Sequence, residues 1–197
     1  MERATLDSSW ITTPRLSLRL LRESDRAEFI RVQTVSADLH RPWTVIPPAG
    51  ETLDEQFDAL LKRSDHGWSS DSEYRFVALL GDDRIAGFFN LFHVTRGAFE
   101  NATASWTISA DVAGQGYATE AVCAILSIAF HGGHHGLNLH RVGASVIPTN
   151  IASLRVAEKA GFRREGLALK YLRIAGEWQD HLLFGKLREE HRITELI

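Results

Sequence analysis

One cysteine in 197 residues cannot form an internal disulfide, and Cys123 sits in an apolar stretch that reads as helix, a usage that suits a reducing compartment. Basic charge is not in excess. The 22 Lys and Arg against 25 Asp and Glu leave a net charge of −3, which argues against a general nucleic-acid binder. No apolar run approaches membrane-spanning length, and Met1 to Trp10 lacks the apolar core of a signal peptide. The expectation is a cytoplasmic protein with no membrane contact. Repeats, low-complexity tracts and linkers are missing as well. Proline is scarce: three of the five fall between Leu39 and Gly50, marking one irregular, ordered loop around Trp43.

What is present is ordinary for a globular chain, 44% hydrophobic and 24% charged, long enough for one domain with a real core. We expect a single domain over residues 1–197, its core about 15–187. Arg15 to Leu21 alternates as a half-buried strand. Ser24 and Asp25 offer N-caps to a helix carrying Phe29 and Ile30. Leu53, Phe57, Leu60 and Leu61 mark a second helix, and Lys62 to Glu73 reads as a polar, mobile connection. Tyr74 to Leu80 and Arg84 to Val94 form a hairpin about Gly81-Asp82-Asp83. Thr103 to Ser109 is the next strand, followed by a helix from Tyr117 to Phe130. Arg141 to Val146 is a strand, Asn150 opens a helix that Gly161 ends, and two more strands reach Leu187. Arg188 to Ile197 extends past the core as a short helix or a frayed tail.

The densest information lies in Ser105 to Leu126. A short strand passes through Gly114-Gln115-Gly116 directly into the helix from Tyr117. A glycine loop at a helix start bares several backbone N–H groups, which with the helix dipole can hold a diphosphate without a cationic side chain. No lysine follows these glycines, so they are not a nucleoside-triphosphate loop. Thr119 stands where a dinucleotide fingerprint needs a small residue, and Arg141 to Val146 carries no acid for a ribose. A second segment, Val146 to Phe162, runs from strand through a proline turn to a helix capped by Asn150, with Ser153 in its first turn.

These two segments together resemble the GCN5-related N-acetyltransferases, whose pyrophosphate loop has the pattern Q/R-x-x-G-x-G/A. The glycine spacing is intact, although Asp111 occupies the first polar position. Arg41-Pro-Trp43, Thr95 to Phe99, Asn150 to Ser153 and Tyr171 to His181 narrow the likeness to the ribosomal-protein alanine acetyltransferases of the RimJ/RimL type. The resemblance covers Leu16 to about Leu187. It implies an α/β fold, a mixed and strongly twisted sheet of six to seven strands flanked by about four helices. The strands ending near Ser109 and starting near Arg141 should be parallel and splayed at one end. Pantetheine would enter that gap.

The resemblance further implies acetyl-CoA as acetyl donor and no metal. Ile108, Ser109, Gly114, Gln115, Gly116, Tyr117, Ala118, Thr119, Asn150 and Ser153 would hold the coenzyme. The Ile108 backbone N–H would polarise the thioester carbonyl, and Ser153 would protonate the departing thiolate. Two positions depart from the pattern. Ala157 stands where many relatives carry an acidic tyrosine, and Lys170 stands where the RimL type has a carboxylate base before Tyr171. Glu100, His93 and Asp180 are candidate substitutes. Trp43, Arg96, Trp106 and Tyr171 are candidate acceptor contacts, with Phe92 and Trp178 nearby, although aromatics at strand spacing are more often core. His131, His134, His135 and His140 read as a solvated loop rather than a zinc site, since no cysteine or acid lies among them. The acceptor is expected to be a protein or peptide N-terminal α-amine beginning with alanine or serine. The alternatives are a small-molecule amine, such as an antibiotic or polyamine, and a non-catalytic acyl-CoA-binding module.

Overall fold

Alternating apolar residues make the strands, and one eight-stranded sheet gathers them all in the order β1-β2-β3-β4-β5-β6-β8-β7. The computed structural model describes residues 10–132 and 136–192. Its strands are β1 (Ile11–Thr12), β2 (Ser17–Leu20), β3 (Glu73–Leu79), β4 (Ile85–Thr95), β5 (Asn101–Ile108), β6 (Arg141–Val146), β7 (Arg163–Ile174) and β8 (Glu177–Leu187). Four helices flank the sheet: α1 (Arg26–His40), α2 (Leu53–Ser69), α3 (Tyr117–Phe130) and α4 (Ile151–Lys159).

Each face of the sheet carries its own core. On one, the apolar α3 buries Ile125, Leu126 and Ile128 against Phe76, Phe89, Leu91 and Val142, and α4 adds Ala157. On the other, α1 and α2 place Phe29, Val32 and Phe57 against Val77, Ile85 and Phe88. Phe29 meets both Phe57 and Phe88, with ring centroids at 5.3 and 5.7 Å, separations at which aromatic pairs attract beyond simple burial.

Every neighbouring pair of strands is antiparallel except β5 and β6. That parallel pair holds register only at Asn101↔Arg141, Ala102↔Val142 and Thr103↔Gly143. Beyond Thr103, β5 continues to Ile108 and β6 to Val146 without pairing, so a fork opens between them. The expected splay is therefore present. β8 pairs with β6 along its length, from Arg141↔Leu187 to Val146↔Leu182.

Three expectations change. The sheet has eight strands rather than six to seven. The extra one is β1, two residues folded back on β2 by Thr13 and Pro14, too short to show a period. Lys62 to Ser69 is not a mobile connection but the second half of α2. Its polar residues cover the outer face, while Ser64 and Gly67 are buried and a Cβ on Gly67 would strike Glu73. Thr52 starts this helix through a reciprocal capping box with Glu55. Asp25 holds the N-cap position of α1 but does not cap it. Its carboxylate instead takes two bonds from Arg19, at 2.6 and 2.7 Å, and one from the Arg22 N–H. Of the C-terminal tail, Arg188–Glu190 is a 3-10 turn, and residues 193–197 lie outside the described residues.

Candidate active site

The fork is a backbone feature before it is a side-chain one. The Ser109 N–H donates to the Ala86 carbonyl at 2.7 Å, toward β4. Along an extended strand the N–H and C=O of successive residues point to opposite edges. The backbone groups of Ala104, Trp106 and Ile108 therefore point away from β4, into the gap that β6 leaves. Buried backbone donors without a strand partner demand another, and an extended pantetheine amide chain is the kind of group that answers them.

At the mouth of the fork sits the glycine loop. Gly114 and Gly116 have φ of +79° and +87°, the left-handed region that glycine enters without cost. Nothing lies within 4 Å of where a Gly114 Cβ would stand. Gly116 is the N-cap of α3 and offers no side chain, so the first N–H groups of Tyr117, Ala118 and Thr119 have no capping partner of their own. Gln115 completes the turn between them. The residues present thus fit a diphosphate: aligned donors, a helix N-terminus and open space above them.

One residue at this loop escapes sequence reasoning. Arg15 donates to the Gln115 carbonyl at 3.0 Å, pairs with Glu120 at 2.6 Å and lies over the Tyr117 ring at 4.3 Å. It fixes the loop to β2 and sets a half-exposed cation beside the cradle. As the first residue of the expected strand from Arg15 to Leu21, it carried no signal of its own.

Across the fork, α4 starts at Asn150, whose side chain accepts from the Ser153 N–H at 3.1 Å. The capping role of Asn150 is therefore real, and its amide N–H₂ stays available for another contact. Ser153 is half-buried, and among the described residues its hydroxyl has no hydrogen-bond partner. Trp106 belongs to this side too, packing against the α3 core with its ring 6.4 Å from that of Phe162.

The opposite face holds a groove of mixed polarity beneath α1 and α2. Two adjoining hollows, of about 260 and 410 Å³, share Arg75 and Asn90. Strand register aligns Arg75, Asn90 and Ser105 in one row across β3, β4 and β5. Asn90 donates to Ser105 Oγ at 3.1 Å, and Thr107 brings the groove within one residue of Ile108. Arg75 is largely buried and paired with Glu73, and its Nε has no hydrogen-bond partner.

Helix α1 grips the end of β5 at three points. Arg31 pairs with Asp111 at 3.0 Å, Ser36 Oγ accepts from the Ala110 N–H at 2.9 Å, and His40 Nε2 lies 2.8 Å from the Ile108 carbonyl oxygen. A hydrogen bond from Ser109, then Arg31 and Arg84, hold the Asp111 carboxyl below the usual carboxylate range. This acid is therefore occupied by the scaffold.

The remaining candidates separate. Trp43, half-buried, follows α1 in a 3-10 turn, and the next residue, Thr44, accepts from the Ala175 N–H at 2.9 Å. Two segments far apart in sequence, Arg41–Trp43 and the β7–β8 hairpin, thus meet beside the fork. Tyr171 is about half exposed, its ring edge-on to His181 at 5.6 Å. The Lys170 N–H donates to Asp180 at 2.8 Å where β7 bulges. Arg96 is not free for a substrate. Asp71 binds it twice, at 2.6 and 2.7 Å, and it also donates to the Leu137 carbonyl. Its position after β4 gives it a structural role that the sequence could not reveal. Glu100 precedes β5, eight residues and about 26 Å of strand from Ile108, so it is too remote to act there. His93 lines the second hollow. His134 and His135 lie outside the described residues. Among the described residues no group of three or more His, Cys, Asp or Glu could hold a metal ion.

A fork between parallel strands, a glycine loop at a helix start and a groove on the far face define an acyl-transferase that uses a coenzyme thioester. Residues 15–163 match the acetyltransferase (GNAT) domain family, and the chain belongs to it. It is an N-acetyltransferase with acetyl-CoA as donor. The chain is similar to the probable N-acetyltransferase YjcK of Bacillus subtilis, 33% identical over 88% of this chain and 94% of the relative. It is 26% identical to the [ribosomal protein uS5]-alanine N-acetyltransferase of Escherichia coli, over 92% of each. Among solved structures, RimJ of Mycobacterium smegmatis in complex with CoA-disulfide has 29% identity and a TM-score of 0.80 over 89% of this chain and 83% of that one. A spermidine N-acetyltransferase of Vibrio cholerae, with CoA and spermine, shares the fold at 22% identity and a TM-score of 0.74, over 90% and 98%. No described helix is long and apolar enough to cross a membrane.

Proposed function

We propose that this chain is a single acetyltransferase domain that acetylates the N-terminal α-amine of a peptide or protein beginning with alanine or serine. Acetyl-CoA would lie with its diphosphate on Gly114 to Thr119 and its pantetheine between β5 and β6, touching Ile108, Asn150 and Ser153. Ser109 is instead fully buried, with its N–H on Ala86 and its hydroxyl on Asp111, and faces the scaffold. The acceptor would approach through the groove under α1 and α2. The Ile108 N–H would take up charge on the thioester oxygen, and Ser153 would return a proton to the thiolate.

The observation that carries the choice of acceptor is the groove floor. Arg75, Asn90 and Ser105 present donors suited to carbonyl or carboxylate oxygens. The one acid among them, Glu73, is already paired with Arg75. A polyamine would need unpaired acids there, whereas a peptide brings its own carbonyls. The likeness to the uS5-alanine enzyme supports the same choice. So does acidity: an α-amine has a pKa near 8, so about a tenth is neutral at pH 7, far more than of a lysine amine near 10.4.

Incubation with acetyl-CoA and peptides starting in alanine or serine, lysine peptides, spermidine and an aminoglycoside, followed by mass spectrometry, tests this reading. Modification of the α-amine peptides supports it. Exclusive modification of a small amine overturns it.

A further inference from the structure

Lys170 offers no carboxylate on the hairpin, so a proton acceptor is to be sought on another element. The Ile108 carbonyl points into the fork, as its N–H must, and His40 Nε2 lies 2.8 Å from that oxygen. A carbonyl oxygen can only accept, so Nε2 carries the hydrogen, and in the neutral ring the lone pair is left on Nδ1. His40 is the last residue of α1, half-buried where that helix meets the end of β5. It therefore sits against the residue whose N–H would face the thioester, on the helix that also supplies Phe29 and Gln33 to the groove.

Nothing around it demands a charged ring. Asp38 and Arg41, its neighbours on either side, pair with each other at 2.6 Å. Asp111, just past β5, is held by Arg31 and Arg84. On the hairpin that closes against Thr44, Asp180 accepts from the Lys170 backbone. From β5 itself His40 meets a backbone carbonyl. Burial pushes its pKa below the ordinary histidine value, against the smaller opposing effect of the Ile108 bond. The imidazole is neutral at pH 7 and able to take a proton.

We propose that His40 is the catalytic base, its Nδ1 taking a proton from the acceptor ammonium. The inference rests on the reading that the acceptor approaches from the α1 side. Loss of that proton leaves a neutral amine, whose lone pair forms the C–N bond at the thioester carbon. The C–S bond then breaks, and the electron pair leaves with sulfur. The nitrogen gives up a second proton as the amide forms, and one proton ends on the coenzyme thiol. The other returns from His40 to solvent. No oxidant or further reactant is required.

The test compares wild-type enzyme with His40→Gln, whose amide can still donate to the Ile108 carbonyl but cannot accept a proton at neutral pH. With an alanine-starting peptide at pH 7, kcat/KM should fall 10- to 100-fold, at or below the usual range for a general base because part of the α-amine is already neutral. The deficit should shrink to about threefold at pH 9.5, where the α-amine is free unaided. KM for acetyl-CoA should stay within about twofold. A variant within twofold of wild type at pH 7 overturns the proposal, and so does a deficit that is equal at both pH values. Ring ¹⁵N NMR of the wild-type protein needs no variant. A neutral His40 with hydrogen on Nε2 supports the assignment, and hydrogen on Nδ1 overturns it. If wild type modifies only a small amine, the peptide reading fails by itself, and the same ratio measured on that amine judges His40.

Discussion

Replacing Gly116 by aspartate tests the diphosphate cradle at its narrowest point. The backbone there is left-handed, φ +87°, which costs a residue with a Cβ roughly 1–2 kcal/mol, somewhat less for Asp. Against a usual stability of about 5–15 kcal/mol the variant should stay folded. The effect on coenzyme affinity is larger. A carboxylate about 4 Å from one diphosphate charge near a surface is repelled by about 4 kcal/mol. Arg15, whose guanidinium would lie 3.4 Å from the new Cβ, offsets part of this. The net loss should be about 2–4 kcal/mol, or roughly 30- to 1,000-fold in acetyl-CoA affinity. Gly116→Ala carries the backbone cost without the charge and should lose little affinity. Calorimetry on both folded variants reads the difference. Unchanged affinity in Gly116→Asp would place the diphosphate elsewhere and refute the cradle.

Ser153→Ala should lower kcat about 10- to 100-fold, toward the low end of what a general acid contributes, with acetyl-CoA affinity by calorimetry little changed; a loss of binding alone would make Ser153 a positioning residue. Gly87→Ala puts a Cβ 2.3 Å from the Thr107 carbonyl and 3.1 Å from Ile108 Cα. It should cost about 1–3 kcal/mol in urea unfolding and reduce kcat more than coenzyme affinity, because it displaces the Ile108 end of β5. Asp25→Ala leaves Arg19 buried without its partner and should destabilise by about 3–5 kcal/mol, read by the same unfolding. Burial, aided by Lys186, lowers His191 to about 4 in the fold, so below pH 6.5 the unfolded chain takes its proton first. The stability this residue contributes is whole above pH 6.5 and is lost as pH falls toward about 4. His191→Gln should flatten that part of the melting-temperature profile and leave the smaller share due to His40.

Local signals disclosed what local chemistry decides. The helix from Tyr117 to Phe130, the end of α4 at Gly161 and the turn at Ala175-Gly176 stand where glycine placement and apolar spacing put them. The fork was legible only through the family resemblance, since no period distinguishes a paired strand from half of a splayed one. Side-chain roles that depend on distant partners were hidden. Arg96 looks like a substrate anchor until Asp71 is found beside it. His40 looks like a helix end until β5 arrives at its ring. Lys62 to Ser69 misled because a helix whose outer face is polar resembles a loop whenever its buried positions are a serine and a glycine.

The exchange at Asp111 joins these threads. The family pattern places a polar residue there for the coenzyme, and in this chain the carboxylate is spent on Arg31 and Arg84. That carboxylate ties α1 and the β3–β4 turn to the segment that follows β5. Together with Ser36 and His40 it fixes the acceptor-side helix to the strand that faces the donor. A cradle of the proposed kind can do without that side chain, because its donors are backbone N–H groups, which only a proline would remove. The fork cannot spare the rigidity, because β6 does not support β5 beyond Thr103 and the Ile108 N–H must hold its aim without a strand beside it. The three anchors from α1 supply that support. On the proposed reading they also hold the base and the oxyanion donor together at Ile108.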